Sequence, residues 1–241
     1  MLKETKGIVL RSIKYGETSL ITTIYTTVFG IQSYLVQGVR TSKKKTMSAN
    51  LYQASTLLDL IVYHSPNKNL QRIKEAKLAY LYTQIPYSMH RNTIAMFLTE
   101  LIYKTVHEPE SNSILFDMLE HYLTKTDQAD ISDIANIPIQ FLLHYIQHLG
   151  FGFQNKYSSE FSEINIELGK FCHPDQHSSP YRIDTHIAEI LSDFYHEQTT
   201  AIALNHTKRQ KTLEAALMYL KYHLPQMQHI NSLQIFHELL S

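Results

Sequence analysis

Apolar and polar positions follow two different rhythms along this chain. Through residues 1–80 they alternate in short stretches punctuated by turn residues, and the stretches are rich in Val, Ile, Thr and Tyr. That is the signature of half-buried strands. A first strand is expected over about Lys6 to Tyr15, ending at Gly16-Glu17, and a second over Ser19 to Phe29, with Leu20, Thr22, Ile24, Thr26 and Val28 on one face. Phe29-Gly30 reads as a hairpin turn into a third strand, Ile31 to Val39. A polar, lysine-rich loop, Thr41 to Ala49, precedes two more strand-like runs, Tyr52 to Tyr63 and Asn69 to Tyr80, separated by Ser65-Pro66-Asn67.

From about Pro86 the apolar residues recur at helical spacing. Ile94, Phe97, Leu98, Leu101 and Ile102 form one stripe; Ile114, Leu115, Met118, Leu119, Tyr122 and Leu123 form a second. Phe141, Leu142, Tyr145, Ile146 and Leu149 make a third, stopped by Gly150 and Gly152. Ile187, Ile190, Leu191 and Phe194 follow a possible Asp184 cap, and Leu213, Ala216, Leu217, Leu220 and Leu224 end at Pro225. A short sixth helix is expected over Ser232 to Leu240, and residues 151–183 show no clear period and read as an irregular insert. Five short meandering strands suit a small closed barrel of the size of an OB-fold, because closure removes sticky edges. The fold class is therefore α+β, with a barrel domain over 1–82 and a helical domain with its insert over 83–241.

Charge sharpens this division. Residues 1–80 hold twelve Lys/Arg against four Asp/Glu, a surplus of eight cations. The remainder holds ten against eighteen, a surplus of eight acids, so a net charge of zero hides a basic front and an acidic rear. Such a split suits one half meeting a polyanion, although a basic solvated surface also accounts for it. With 241 residues, 44% of them hydrophobic, the chain can bury a substantial core. A single cysteine, Cys172, leaves no internal disulfide and fits a reducing compartment. The opening MLKETKGIVLRS carries charge where a secretory signal is apolar, and no apolar run approaches a membrane span, so a cytoplasmic protein is expected.

Candidate chemistry is of the binding kind. Arg40, Lys43, Lys44 and Lys45 leave the third strand on a loop able to neutralise phosphates without reading sequence, and Arg11 and Lys14 on the first strand extend the patch. Tyr15, Tyr25, Phe29 and Tyr34 lie in the same region, and cations beside stacking rings are what sequence-tolerant single-strand binding requires. Period-two logic does not say which rings point outward; of these, Tyr34 is taken with the cations as a DNA-binding candidate. Lys208, Arg209 and Lys211 open the fifth helix where its dipole prefers acids. Beside Leu213 and Leu217 they could grip an acidic, apolar peptide tail, or form a solvated basic turn. Cys172, His173 and His177 have a spacing that superficially resembles metal ligands, but no second pair sits at a comparable turn, and His144/His148 lack the Glu of an HExxH motif. No GxxxxGK[ST], GxGxxG or nucleophile elbow occurs, which favours a binding protein over an enzyme.

In order along the chain, Lys6-GIVLR-Ser12, Tyr15-Gly16-Glu17, the Thr-rich strand closing in Phe29-Gly30, Gln37-Gly38-Val39-Arg40 and the lysine run resemble the amino-terminal domain of the RecO family. Phe141-Leu-Leu to Leu149-Gly150-Phe151 resembles that family's helix ending in leucine-glycine-aromatic, and Tyr222-His223-Leu224 to Ser232-Leu233 its closing helices. Many relatives carry a four-cysteine zinc site after the leucine-glycine turn. Here Asn155, Lys156, Tyr157 and Ser158 stand near the first pair's place and Cys172 alone near the second's, so no cofactor is expected and packing must hold the insert.

The resemblance implies an OB-fold followed by a helical domain. It also implies binding of single- and double-stranded DNA and annealing of complementary strands. The partners it implies are the acidic tail of single-strand DNA-binding protein and RecR, and through them RecA. It implies a bacterial cytoplasmic protein working at the nucleoid. An alternative is a non-catalytic interaction scaffold whose barrel no longer binds DNA, and more remote is a hydrolase using the histidines and carboxylates of the helical half.

Overall fold

Five strands close into a barrel in the computed structural model, which describes residues 1–39, 49–106, 110–174, 180–197, 203–227 and 229–232. They are β1 (Leu2–Tyr15), β2 (Ser19–Thr26), β3 (Gly30–Val36), β4 (Leu57–Tyr63) and β5 (Leu70–Leu78). The order is β1-β2-β3-β5-β4, with β4 pairing back onto β1. Every ladder is antiparallel except β3 with β5. Val9, Leu20, Ile24, Tyr34, Val36, Leu58, Leu60 and Val62 fill the interior. Gly7 belongs to this face: a Cβ there would lie 2.6 Å from Ile24 Cγ2 and 2.8 Å from Leu60 Cδ1, so the strand that opens GIVLR has no room for a side chain.

The strand boundaries differ from the expected ones in instructive ways. β1 begins four residues earlier, at Leu2, because its first half pairs with β4. β2 stops at Thr26, where the Thr26 hydroxyl accepts from Phe29 N and donates to Gly30 O, tying off the turn; Val28 is exposed. β3 ends at Val36, not Val39. The run expected as a strand from Tyr52 begins instead as a 3-10 helix, Ala49–Tyr52, whose Tyr52 is buried and whose carbonyl accepts from Ser12 Oγ at 2.6 Å. The polar loop predicted from Thr41 lies outside the described residues up to Ser48.

Two helices pack with the barrel in the same compact unit, Met1–Gln128 together with residues 229–232. They are α1 (Met89–Thr105), capped by the Ser88 side chain on Arg91 N, and α2 (Ser113–Gln128). The link from β5 into α1 is clamped by one carboxylate. Asp127, fully buried, accepts from the backbone N–H groups of Thr83, Gln84 and Ile85 at 2.8–3.1 Å and from the Thr83 hydroxyl at 3.1 Å. Arg91, also buried, donates to the carbonyls of Thr126 and Asp127, which end α2. Burial alone would raise the Asp127 pKa, but the donors converging on it outweigh that and hold it below the ordinary value.

The second unit lies within Ala129–Gln228. It holds a short helix α3 (Ile131–Ile134), then α4 (Ile137–His148), α5 (Thr185–Glu197) and α6 (His206–His223). The helical spacing finds α4, α5 and α6 but not α3, which is four residues long and shows no period. Asp184 caps α5 as expected, accepting from His186 N and Ile187 N. The insert is not irregular. β6 (Glu163–Asn165), β7 (Lys170–Cys172) and β8 (Arg182–Ile183) form a small sheet in the order β7-β6-β8. Its strands are too short to show alternation. Phe153 packs against Phe171, Tyr195 and Tyr219, and Glu163 pairs with Arg182 at 2.8 Å.

The Leu149-Gly150-Phe151 motif has a geometric reason. Gly150, at φ +83°, takes the left-handed position after α4. Phe151 N then donates to Ile146 O, and Gly150 N to Gln147 O, both at 3.0 Å. These two bonds satisfy carbonyls the helix end would leave orphaned. The predicted sixth helix lies beyond the described residues after Ser232.

Replacing Asp127 with Ala strands three N–H groups, that of Ile85 buried, and should lower the unfolding free energy by about 2–3 kcal/mol at pH 7. The folded-state pKa is depressed, so the contribution is complete above the ordinary value of 3.8 and is lost as pH falls through the folded value. Denaturant titrations of both forms at pH 7 and in acid check this: a deficit under 1 kcal/mol at neutrality would show that the carboxylate is not the clamp.

Candidate nucleic-acid interface

Charge on the barrel wall follows from which residues each strand turns outward. Across β1, β4 and β5 one register row reads Lys6, Asp59, Lys77 and another reads Glu4, Ile61, Glu75. Lys77 binds Glu75 at 2.8 Å, and Lys6 reaches Glu120 of α2 at 3.6 Å. Lys77's hydrogen bond and charge hold the Glu75 carboxyl below its ordinary pKa. These residues line a shallow cleft of about 500 Å³ with Thr5, Thr27 and Val28. This flank carries three of the barrel's four acids, and its lysines face carboxylates. It is electrostatically compensated.

The other flank is different because of a bulge. The register of β1 against β2 shifts between Val9 and Arg11. Gly7 and Val9 point inward; past the extra residue, Arg11, Ile13 and Tyr15 point outward, opposite Thr23, Ile21 and Ser19. β3 and β5 continue both rows: Arg11, Thr23, Ser33, Leu70 in one and Ile13, Ile21, Leu35, Arg72 in the next. A second shift, between Ile61 and Val62, leaves Lys74 on the bulged stretch of β5, where it is exposed. Lys14 shares a row with Leu20 and Val36 at the barrel mouth and is exposed, at the end from which the chain leaves β3. The fourth acid, Glu17, sits in the β1–β2 turn.

Arg11 is held in place. Its guanidinium donates to the Tyr103 hydroxyl at 3.2 Å and lies 5.6 Å from the centre of that ring, while the Lys104 ammonium stands 5.9 Å from the same ring. Tyr103 and Lys104 belong to α1 and extend the cationic flank beyond the barrel. No local signal marks them, since the contact to Arg11 spans 92 residues.

Of the four aromatics considered, only Tyr15 is well exposed, at 54%. Tyr34 is a correction: its side chain is fully buried in the barrel core, so it offers no face to a base. Desolvation raises its pKa far above the ordinary phenol value, and its hydroxyl has no hydrogen-bond partner. Tyr25 is also buried, 5.9 Å from the Phe116 ring and bonded to Asn112 O. Phe29 stacks on His64 at 3.9 Å. Arg40, Lys43, Lys44 and Lys45 lie outside the described residues.

In the second unit the expected peptide-tail cluster is split. Asn205 caps α6 by accepting from Lys208 N at 2.9 Å. Arg209 turns inward, donating to Asn136 Oδ1 at 3.0 Å and Leu204 O at 2.7 Å, and so serves the packing of α6. Leu213 and Leu217 are buried too. Lys208 and Lys211 remain exposed, and the apolar residues α6 turns outward are Met218 and Tyr222, the latter 5.2 Å from the Tyr181 ring. Cys172 is buried in β7, and His177 falls outside the described residues. Among the described residues no three His, Cys, Asp or Glu side chains converge, and no helix is long and apolar enough to cross a membrane.

A closed five-stranded barrel with one compensated and one cationic flank, followed by helices, defines an OB-fold protein of the α+β class. Two family models cover the chain: Recombination protein O N terminal over residues 1–82 and Recombination protein O C terminal over 86–233. Similar proteins include DNA repair protein RecO of Bacteroides fragilis, 32% identical, and of Flavobacterium psychrophilum, 31% identical, each aligned over 99% of both chains. That of Phocaeicola vulgatus is 31% identical over the whole of both. The chain belongs to the RecO family of DNA repair proteins.

Because Tyr34 carries an orphaned hydroxyl inside the core, Tyr34→Phe should leave DNA affinity within about twofold and raise stability by roughly 1 kcal/mol. Paired thermal melts and DNA titrations test this; a tenfold loss of affinity would restore the ring to the interface.

Proposed function

We propose that the chain is a recombination mediator that cleaves no bond. Its barrel binds single- and double-stranded DNA and promotes annealing of complementary strands. Its helical part engages the C-terminal tail of single-strand DNA-binding protein and RecR, and so helps RecA load onto coated DNA. Annealing needs charge neutralisation and strand capture, which cations supply without a catalytic set, a metal or another cofactor. The setting is the bacterial cytoplasm, at the nucleoid.

The observation that carries this reading is the confinement of Glu4, Asp59 and Glu75 to one flank. It leaves Arg11 and Arg72 on the rest of the wall without facing carboxylates in their register rows. Lys14, Arg40 and Lys43, Lys44 and Lys45 would add to the same track. For the tail, exposed Lys208 and Lys211 would meet its acids, while Met218 and Tyr222 would meet its apolar end.

Titration of labelled single-stranded DNA by fluorescence anisotropy at several salt concentrations tests the first part. Log affinity should fall linearly with log salt, by about 0.7 per phosphate neutralised, and a Lys43/Lys44/Lys45→Ala triple variant should flatten the slope by about 2. Salt-independent binding, or none at low salt, would sink the proposal.

A further inference from the structure

Arg11 is anchored at both ends of its side chain, and the two anchors come from distant parts of the sequence. At the backbone, the next residue, Ser12, turns inward. Its hydroxyl lies 2.9 Å from Thr22 Oγ1 and 2.6 Å from Tyr52 O, which fixes β1 just past its bulge. At the tip, Nη1 donates to the Tyr103 hydroxyl at 3.2 Å, and the guanidinium carbon stands 5.6 Å from the centre of that ring. Tyr103 itself sits on a rigid stretch of α1: Leu101, Ile102 and Thr105 are buried, and the Thr105 hydroxyl donates to Leu101 O at 2.6 Å. A surface arginine ordinarily moves among many rotamers, and ordering it is costly. The contact to Tyr103 is exposed, where such an interaction contributes little to the stability of the fold. Its effect falls on the direction of the guanidinium.

The bond to Tyr103 uses one guanidinium nitrogen of three. Nε and Nη2 meet no acceptor among the described residues, and these two form the planar edge that matches two oxygens of one phosphate. We propose that Tyr103 is a positioning residue: it touches no DNA itself, but turns Arg11 so that the Nε/Nη2 edge is presented to a backbone phosphate before the strand arrives. The proposal rests on the DNA-binding reading above and adds to it a residue from outside the barrel. Preorganisation of this kind raises affinity by removing an ordering cost from the binding step, without adding a charge. A phenol suits the task. It accepts from the guanidinium and leaves the positive charge intact, whereas a carboxylate would neutralise that charge and compete with phosphate. The register row of Arg11 holds Thr23, Ser33 and Leu70, none of them acidic. The Lys104 ammonium, 5.9 Å from the same ring centre, places a second cation around Tyr103, and the electron-rich ring face offsets the repulsion between the two.

The test uses the full chain carrying Tyr103→Phe, Arg11→Lys, Arg11→Gln, or Tyr103→Phe with Arg11→Gln, and a thermal melt checks the fold of each. Affinity for a labelled single-stranded oligonucleotide is read by anisotropy across a salt series. Tyr103→Phe keeps the ring and removes only the acceptor. It should weaken binding about threefold at an unchanged salt slope, because Arg11 still neutralises its phosphate but must be ordered as it binds. Arg11→Lys keeps the charge and lacks the fork, and should also lose about threefold with the slope intact. Arg11→Gln should flatten the slope by about 0.7, and in that background Tyr103→Phe should have no further effect. Wild-type affinity in Tyr103→Phe or in Arg11→Lys would overturn the proposal, since either would show that the direction of the charge is immaterial. So would the same loss from Tyr103→Phe with and without Arg11, which would make the phenol a DNA contact in its own right. Wild-type protein that binds no DNA at low salt would bring down the DNA-binding reading itself, a result distinguishable from the others.

Discussion

One extra residue in β1 determines what the barrel shows to solvent. Along a strand, side chains alternate between faces, so a strand that begins with Gly7 and Val9 pointing inward would send Arg11, Ile13 and Tyr15 inward as well. The register shift between Val9 and Arg11 reverses that assignment. The core keeps Gly7 and Val9 from the first half and, from the second, Ser12, whose hydroxyl meets Thr22 and the Tyr52 carbonyl. The outside receives a cation, a branched aliphatic and a ring. Everything on the cationic flank depends on that reversal, because β2, β3 and β5 only continue rows that β1 has set.

This also explains what was legible in the sequence. The barrel could be read because Leu20, Thr22, Ile24 and Thr26 alternate without interruption, and all four are buried. α1, α2, α4, α5 and α6 could be read because their apolar residues recur at helical spacing over about two turns or more. The direction of Arg11 and Tyr15 could not. Ile8, Val9 and Leu10 form a continuous apolar run in which a bulge leaves no trace, since all three are buried for different reasons of packing. Tyr34 fails for the opposite reason. Its spacing is that of a strand residue, and the register that sets it opposite buried Thr22 decides that its side is the inside.

The second unit shows the same limits at shorter range. Strands of two and three residues carry no period, so the small sheet after Gly150 emerges only from its pairings. Arg209 could not be told from Lys208 by composition, yet one is bound into the packing through Asn136 and Leu204 while the other remains in solvent. By contrast, the leucine-glycine-aromatic motif is fully explained by local geometry: a left-handed residue after α4 and two backbone bonds that close the helix.

Placing Glu4, Asp59 and Glu75 together on one flank has a consequence in time as well as in equilibrium. A compensated wall and a cationic one give the barrel an uneven field, so a polyanion in the surrounding solution exerts a torque on it before any contact is made. Encounters are thereby biased toward the productive orientation, and fewer collisions are wasted on the wrong side. The carboxylates of the compensated flank thus act as a rudder.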